Sequence, residues 1–325
     1  MVDQRAWEAP DLIDPMIRRF LNEMSRDSAG HPNLADLSYP QARAVAEAVR
    51  KPWREGGPIM ARVEEVWAPA GDHAVRVRLY HPEPRAAPGG CLVYLHGGGW
   101  TLFSIDTHDR LMREYAARTG LIVAGVDYAL SPEARFPVAL GEAAAVLRWL
   151  AIEGDRLGVD RGRLAVGGDS AGANLALAAA LSLRDAGEGE LVRAMLLNYG
   201  VFQRDSSAEA ARRYGGPEFN LSADEMAAFW RNYLADPSDA ENPLVSPMLA
   251  DLSRLAPAFL AVAECDILAE QSEAMARRLC AAGVTTRAVV YPGATHSFLE
   301  AVAIAPLADR ALAEASHWLK AALNS

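Results

Sequence analysis

Two glycine-rich motifs in this 325-residue chain have the composition needed to act on a carbonyl carbon. Residues 168–172 read Gly-Asp-Ser-Ala-Gly and fit G-x-S-x-G, a pattern that places a serine on a sharp turn between a strand and a helix. Residues 96–99 read His-Gly-Gly-Gly, a loop whose backbone N–H groups can approach a substrate without interference from a Cβ atom. Either motif alone is weak evidence of catalysis, but the two together, in this order, predict that Ser170 is a nucleophile.

Short apolar runs precede both motifs. Residues 163–167 form a buried-strand pattern before the serine, and the Ala- and Leu-rich segment 171–184 after it is typical of a helix. Residues 91–95 form a similar strand pattern before the glycine loop. This setting predicts an oxyanion hole, in which N–H groups stabilise the negative charge of a tetrahedral intermediate. The predicted donors are two of the three loop glycines and the residue after the serine: Gly97, Gly98, Gly99 and Ala171.

A nucleophilic serine needs a base to accept its proton. Of the seven histidines, only His296 and His317 follow Ser170, which is the chain order expected for a base in such a site. His317 lies in a C-terminal helical pattern, whereas His296 lies in a loop directly after the strand-like run 287–291. We therefore predict that His296 is the base. His96 lies within the second motif and precedes Ser170 in the chain. We expect it to shape the glycine loop and not to act as the base.

The carboxylate that orients the base must lie between Ser170 and His296. Most acidic residues there lie in polar stretches with no strand before them. Asp266 instead follows the buried-strand pattern 258–263 and precedes a helical stretch. Asp266 is the predicted acid, and Glu264 is the next candidate.

The motifs resemble those of the hormone-sensitive-lipase-like family of α/β-hydrolases, and more closely those of its bacterial acetyl esterase branch. The matching stretches cover most of the chain from about residue 85 onward: 96–99, 106–110, 127–137, 168–172, 264–266, and 291–293 with His296. The resemblance implies an α/β-hydrolase fold and a serine carboxylesterase for short-chain (acetyl to butyryl) esters. It also implies a triad of Ser170, Asp266 and His296 and no cofactor.

The apolar runs alternate with helical stretches from residue 91 onward. They are 91–95, 121–126, 163–167, 194–197, 258–263 and 287–291. This βαβ pattern predicts an α/β fold with a mostly parallel central sheet flanked by helices on both faces. Residues 74–80 alternate between apolar and charged side chains, which predicts an antiparallel strand beside that sheet.

Two segments lie outside this alternation. Residues 1–50 are predicted to contain two helices, one of them opened by Asp14 and Pro15, and residues 51–325 to form the core. The resemblance implies that such segments form a cap over the active site, with residues 1–50 as its N-terminal cap helices. Residues 203–235, with a capping box between Ser222 and Glu225, are predicted to add a second cap segment. The alternative is that these helices simply pack on the sheet. If they cover the serine, aromatic side chains would line the substrate pocket, and the candidates are Trp100, Phe229, Trp230 and Tyr233. For Trp100, burial in the core is an equal alternative.

The composition of the chain limits the classes of molecule that it is expected to bind. The 32 Lys and Arg residues against 42 Asp and Glu residues give a net charge of −10, which disfavours nucleic acids and anionic membranes. No apolar run approaches the ~20 residues of a membrane span, and the first residues lack an apolar signal core, so we expect a cytoplasmic protein. Cys91, Cys265 and Cys280 are expected to be buried, reduced thiols, and their spacing does not fit a metal site. The expected partner is a small-molecule ester. The oligomeric state stays open, with a homo-oligomer as one option.

Two other functions use the same motifs. Amidase or acyltransferase chemistry needs the same three side chains, and the sequence does not distinguish the leaving groups. A non-catalytic small-molecule-binding protein on this fold would be expected to lack a triad member. All three members are present in this chain.

Overall fold

The computed structural model describes residues 12–84 and 87–324. The helices of this part of the chain are α1 (Pro15–Ala29), α2 (Tyr39–Arg54), α3 (Asp109–Thr119), α4 (Val138–Glu153), α5 (Ala171–Asp185), α6 (Ala208–Tyr214), α7 (Ala223–Tyr233), α8 (Ala269–Ala281) and α9 (Pro306–Asn324). The strands are β1 (Arg62–Ala70), β2 (His73–His81), β3 (Gly89–Leu95), β4 (Ile122–Asp127), β5 (Val159–Asp169), β6 (Ala194–Asn198), β7 (Ala258–Cys265) and β8 (Thr286–Thr295).

The strands form one sheet in the order β1-β2-β4-β3-β5-β6-β7-β8. Strands β1, β2 and β4 pair antiparallel, and all pairs from β4 to β8 are parallel. The mostly parallel sheet predicted from the apolar runs is confirmed, and it has the α/β-hydrolase architecture that the resemblance implies.

Strand β1 was not predicted from the sequence. It lies at the edge of the sheet, carries charged residues and Pro69, and buries only Ala68 and Ala70. Val66 packs against the core beside these alanines, whereas Val63 and Trp67 are exposed. Apolar residues therefore do not alternate with polar ones, and β1 is defined by its pairing with β2.

Helices cover both faces of the sheet. Alternate side chains of β3 divide between two cores, because neighbouring residues of a strand point to opposite faces. Leu92 and Tyr94 pack in the core that includes α3 and α9, whereas Val93 and Leu95 pack in the core that includes α4, α5 and α8. The parallel strands are therefore buried on both sides, as their continuous apolar runs indicate.

The segments outside the alternation are helical. Helix α1 begins after Asp14, whose carboxylate accepts the N–H groups of Met16 and Ile17, and α7 begins at the predicted capping box of Ser222. Helix α2 continues to Arg54, so the secondary structure has no break at residue 50. Residues 1–11 of the predicted segment 1–50 lie outside the described residues.

The cysteine prediction is partly wrong. Cys91 and Cys265 are buried in strands, but Cys280 is exposed. Cys280 lies near the end of the amphipathic helix α8, on the side turned away from the sheet.

Two glycines allow the end of β3 to approach the turn between β5 and α5. Leu95 pairs with Gly168 in the sheet, and its carbonyl oxygen fills the space that a Cβ atom on Gly168 or Gly172 would need. These contacts involve backbone atoms, so a rotamer change would not relieve them.

We expect Gly172→Ala to lower the free energy of unfolding by about 2 kcal/mol or more, because the new methyl group would collide with the Leu95 carbonyl. Gly141→Ala is the matched control. Gly141 lies inside α4, with no atom near its Cβ position, so the same substitution should stabilise the protein by about 0.5–1 kcal/mol. Denaturant unfolding of both variants measures the difference. Equal stability of the two variants would contradict the close contact.

Candidate active site

Ser170 lies on the turn between β5, which ends at Asp169, and α5, which begins at Ala171. Its backbone has φ 55° and ψ −119°, a conformation that a non-glycine residue rarely adopts. The Ser170 N–H donates to the Asn198 carbonyl at 2.9 Å, which ties the turn to β6. The sequence pattern strand–Ser–helix thus produces the sharp, strained turn that it predicts.

The structure brings Ser170, His296 and Asp266 together. His296 Nε2 lies 2.9 Å from Ser170 Oγ, and His296 Nδ1 lies 2.7 Å from Asp266 Oδ2. Asp266 follows the end of β7 and His296 follows the end of β8. All three side chains are buried. The chain of hydrogen bonds has the arrangement of nucleophile, base and orienting carboxylate.

Asp266 is itself held in place, and Glu264 is turned elsewhere. The second carboxylate oxygen of Asp266 accepts the N–H of Leu268 at 2.9 Å, a local turn before α8. Glu264 accepts the N–H of Gly293 at 2.8 Å and is exposed. Asp266 is therefore the carboxylate in contact with His296.

The pKa of His296 is raised. Burial alone would lower it, since a charged imidazolium loses hydration, but the charge of Asp266 and its hydrogen bond to the ring raise it above the ordinary value. Asp169 adds a smaller favourable charge. The other candidate, His317, is exposed on α9.

The glycine loop follows β3 and reaches the serine turn. The N–H of Gly97 donates to Asp169 Oδ1 at 3.1 Å and is therefore engaged. Gly98 and Gly99 border the same cavity as Ser170, and both have positive φ (113° and 59°). The sequence left open which two glycines face the substrate, and this geometry favours Gly98 and Gly99. Ala171 carries the first N–H of α5, which has no acceptor within the helix.

His96 shapes this loop, as the sequence predicts. Its Nδ1 donates to the Gly97 carbonyl at 2.7 Å, and its ring stacks on Tyr128 with centroids 4.3 Å apart. Burial, reinforced by the nearby His108, lowers the pKa of His96 to about 4. His96 is thus a neutral ring, and the hydrogen bond that it donates goes to the glycine loop and not to Ser170.

A cavity of about 570 Å³ opens over Ser170. Its floor includes Ser170 and His296. Its walls come from α1, α2 and α7, and they include Leu21, Met24, Val49, Arg50, Met226 and Phe229. The helices outside the βαβ alternation therefore enclose the space above the serine.

Only one of the four aromatic residues predicted for the pocket lines the cavity. Half-buried Phe229 lines the cavity and fills the space next to Gly99. Trp100, Trp230 and Tyr233 do not line it, which corrects the prediction for these three residues. Trp100 and Tyr233 stack with centroids 4.2 Å apart, and Trp230 lies 4.7 Å from Trp100. One face of α7 thus points into an aromatic core, and Phe229 lies beside that face.

Sequence reasoning missed Arg50 and Phe103. Both line the cavity, and the Arg50 guanidinium lies 3.9 Å from the centroid of the Phe103 ring. Arg50 also pairs with Glu300, its Nε lying 3.2 Å from Glu300 Oε2. No local pattern marks these residues, because they are distant in sequence and meet only when α2 packs beside the glycine loop.

Known proteins match this chain over most of its length. A family model described as alpha/beta hydrolase fold matches residues 92–300. The chain is 39% identical to an ethyl acetate hydrolase of Pseudomonas putida, over 74% of this chain and 76% of that protein. It is 37% identical to an acetyl esterase of Salmonella choleraesuis (strain SC-B67), over 97% of this chain and 99% of that protein.

A solved structure agrees in fold. The hyperthermophilic esterase of the archaeon Pyrobaculum calidifontis superposes with a TM-score of 0.88 and 34% sequence identity, over 95% of this chain and 98% of that one. On this evidence of sequence and fold, the chain belongs to the hormone-sensitive-lipase-like family of α/β-hydrolases and resembles its bacterial acetyl esterases.

Proposed function

We propose that the protein is a serine carboxylesterase that hydrolyses short-chain acyl esters, with Ser170, His296 and Asp266 as its catalytic triad. The observation that carries the proposal is the continuous hydrogen-bond chain from Ser170 Oγ through His296 to Asp266, next to the glycine loop. The relatives named acetyl esterase and ethyl acetate hydrolase support the same chemistry.

The mechanism follows from this geometry. Ser170 Oγ attacks the ester carbonyl while its proton passes to His296 Nε2. The oxygen of the tetrahedral intermediate accepts hydrogen bonds from the N–H groups of Gly98, Gly99 and Ala171. His296 then protonates the leaving alcohol, and a water molecule repeats the cycle on the acyl-enzyme. Asp266 keeps Nδ1–H of His296 in place and stabilises the imidazolium.

The shape of the cavity supports a short acyl group. Phe229 and Met226 of α7 narrow the space beside Gly99 and Ser170. We infer that the Phe229 ring limits the length of the acyl chain on this side of the serine. Acetyl to butyryl esters are therefore the proposed substrates.

The cap is part of the proposal. The described part of segment 1–50, residues 12–50, acts with segment 203–235 as a cap over the core, since α1, α2 and α7 wall the cavity above Ser170. Among residues 12–84 and 87–324, none of the helices combines the length and apolarity that a membrane crossing requires. The cytoplasmic location stays a prediction, and the oligomeric state stays open, with a homo-oligomer as one option.

Amide hydrolysis or acyl transfer on the same triad is the alternative. It differs in the leaving group or in the acceptor, and the relatives' names favour esters and water. Comparing turnover of p-nitrophenyl acetate with that of the matching acetanilide separates ester from amide hydrolysis.

We expect Ser170→Ala to lower kcat on p-nitrophenyl acetate by about 10⁴-fold or more, because the nucleophile is lost and only binding and oxyanion effects persist. Ser316→Ala, at a buried serine of α9, is the control and should keep wild-type kcat. Thermal melting of both variants verifies that they fold. More than about a tenth of wild-type activity in Ser170→Ala would refute the serine mechanism.

We expect kcat/KM to rise with pH through an apparent pKa above the ordinary imidazole value of about 6.5. Only neutral His296 accepts the serine proton, and Asp266 raises its pKa, so the active form appears at higher pH than for a free imidazole. The pH profile of kcat/KM measures this. His317→Ala, on the exposed face of α9, should leave the profile unchanged, and a wild-type profile in His296→Ala would move the base to another residue.

We expect Phe229→Ala to shift the preferred acyl chain from C2–C4 towards longer chains, because it removes the ring that narrows the cavity. Trp230→Ala is the matched control on the same helix. It should cost about 3–5 kcal/mol of stability through loss of the aromatic core, with no change in chain preference. A series of p-nitrophenyl esters gives both preferences. A wild-type preference for C12 over C4 would contradict the short-chain substrate, and an unchanged optimum in Phe229→Ala would contradict the role of this ring.

A further inference from the structure

A buried ionic cluster that the triad does not use lies behind the glycine loop. It consists of Tyr94, His108 and Asp169, and all three side chains are at most 2% exposed. Asp169 precedes Ser170 in the chain, whereas His108 comes from the loop before α3. Charges are seldom buried to this extent unless they are paired, so the contacts of this cluster need an explanation.

Asp169 connects the serine turn to the glycine loop. Its Oδ1 accepts the Gly97 N–H at 3.1 Å and the Tyr94 hydroxyl at 2.8 Å. Its Oδ2 lies 3.3 Å from His108 Nε2. A Cβ atom on Gly97 would collide with Oδ2, so the loop lies directly against this carboxylate.

The hydrogen bonds of His108 indicate its charge. Thr107 Oγ1 donates its only hydrogen to the Ser104 carbonyl at 2.7 Å, so it can only accept from His108 Nδ1, 2.9 Å away. The Asp169 carboxylate likewise only accepts, so it requires a hydrogen on Nε2. This pattern requires a hydrogen on both ring nitrogens, and we infer from it that His108 is an imidazolium.

The electrostatic surroundings agree with this assignment. Burial would lower the pKa of His108, but the charge and hydrogen bond of Asp169 raise it above its ordinary value, and Glu300 assists while Arg50 opposes. Burial would raise the pKa of Asp169, but His108 and the Tyr94 hydroxyl lower it below its ordinary value. Each partner thus favours the charged form of the other.

We propose that the Asp169–His108 ion pair positions the oxyanion hole relative to the nucleophile. The carboxylate fixes the Gly97 N–H, and thereby the backbone of Gly98 and Gly99, against the residue that precedes Ser170. Asp169 and His108 are positioning residues, since neither borders the cavity. The inference rests on the proposed esterase function, because it assigns Gly98 and Gly99 to the oxyanion of that reaction.

The pair should affect the transition state more than the bound ester. The tetrahedral oxygen carries a full charge and depends on the direction of the N–H groups, whereas the neutral carbonyl of the substrate depends on it less. Misalignment of the loop should therefore lower kcat and leave KM nearly unchanged. A residue that acts only on stability would change neither.

The test compares Asp169→Asn with Glu142→Gln. Glu142 is a matched control, because it is also a buried carboxylate. It accepts one hydrogen bond from the His73 ring, at 2.7 Å, and another from the Ala129 N–H. Glu142 does not border the cavity. Wild-type turnover of p-nitrophenyl acetate is measured first, and its absence would refute the esterase function itself.

The variants are then titrated with a short trifluoromethyl ketone. Ser170 Oγ adds to the ketone carbon, the serine proton passes to His296, and the carbonyl oxygen becomes an alkoxide in the oxyanion hole. We expect Asp169→Asn to lower kcat and ketone affinity by a similar factor of about 10–100, with KM nearly unchanged. Glu142→Gln should keep both at wild-type values. Wild-type kcat and ketone affinity in folded Asp169→Asn would overturn the proposal.

His108 provides a second arm if Asp169→Asn does not fold. His108→Gln keeps a donor towards Asp169 without the charge, so its kcat should lie between those of the wild type and His108→Leu. Wild-type kcat in His108→Leu would also overturn the proposal. Nitrogen-15 NMR of the wild-type protein, with His108 assigned by the signal lost in His108→Gln, should show a hydrogen on both ring nitrogens at neutral pH. A neutral ring would overturn the ion pair independently of any turnover.

Discussion

The site depends on one close contact between two backbones, where the end of β3 meets the turn after β5. The carbonyl of Leu95 occupies the space that Cβ atoms on Gly168 and Gly172 would need, so both positions require glycine. This contact sets the distance between the glycine loop, which continues β3, and Ser170, which follows the end of β5. A larger residue at either glycine would separate the proposed nucleophile from its oxyanion donors.

The parallel sheet brings the three residues of the proposed triad together. Ser170, Asp266 and His296 follow the carboxyl ends of β5, β7 and β8, and parallel strands bring these ends to one edge of the sheet. Residues 126 positions apart in the chain therefore lie within hydrogen-bond distance. The helices that continue from the same edge direct their N-terminal N–H groups towards the site, as α5 does with Ala171.

Two buried histidine–aspartate pairs flank the serine, and their settings differ. His296 contacts both Asp266 and Ser170, so its proton can be exchanged with the substrate during the proposed cycle. His108 contacts Asp169 and Thr107, away from the cavity, so its charge has no route to the substrate and serves to hold the loop. The same residue types can thus supply a mobile proton on one side of the nucleophile and a fixed charge on the other.

Local patterns and chain order were enough to predict the alternation of strands and helices from β3 onward, the sharp turn at Ser170, and His296 and Asp266 as its partners. They did not reveal β1, because its exposed face carries Val63 and Trp67 and its apolar residues therefore do not alternate with polar ones. The packing of distant segments places Phe229 at the cavity, brings Trp100, Trp230 and Tyr233 together, and lets Asp169 engage Gly97. None of these contacts follows from a local pattern. Helical periodicity defines an apolar face, but what covers that face, and which buried charges pair, depends on contacts between segments distant in sequence.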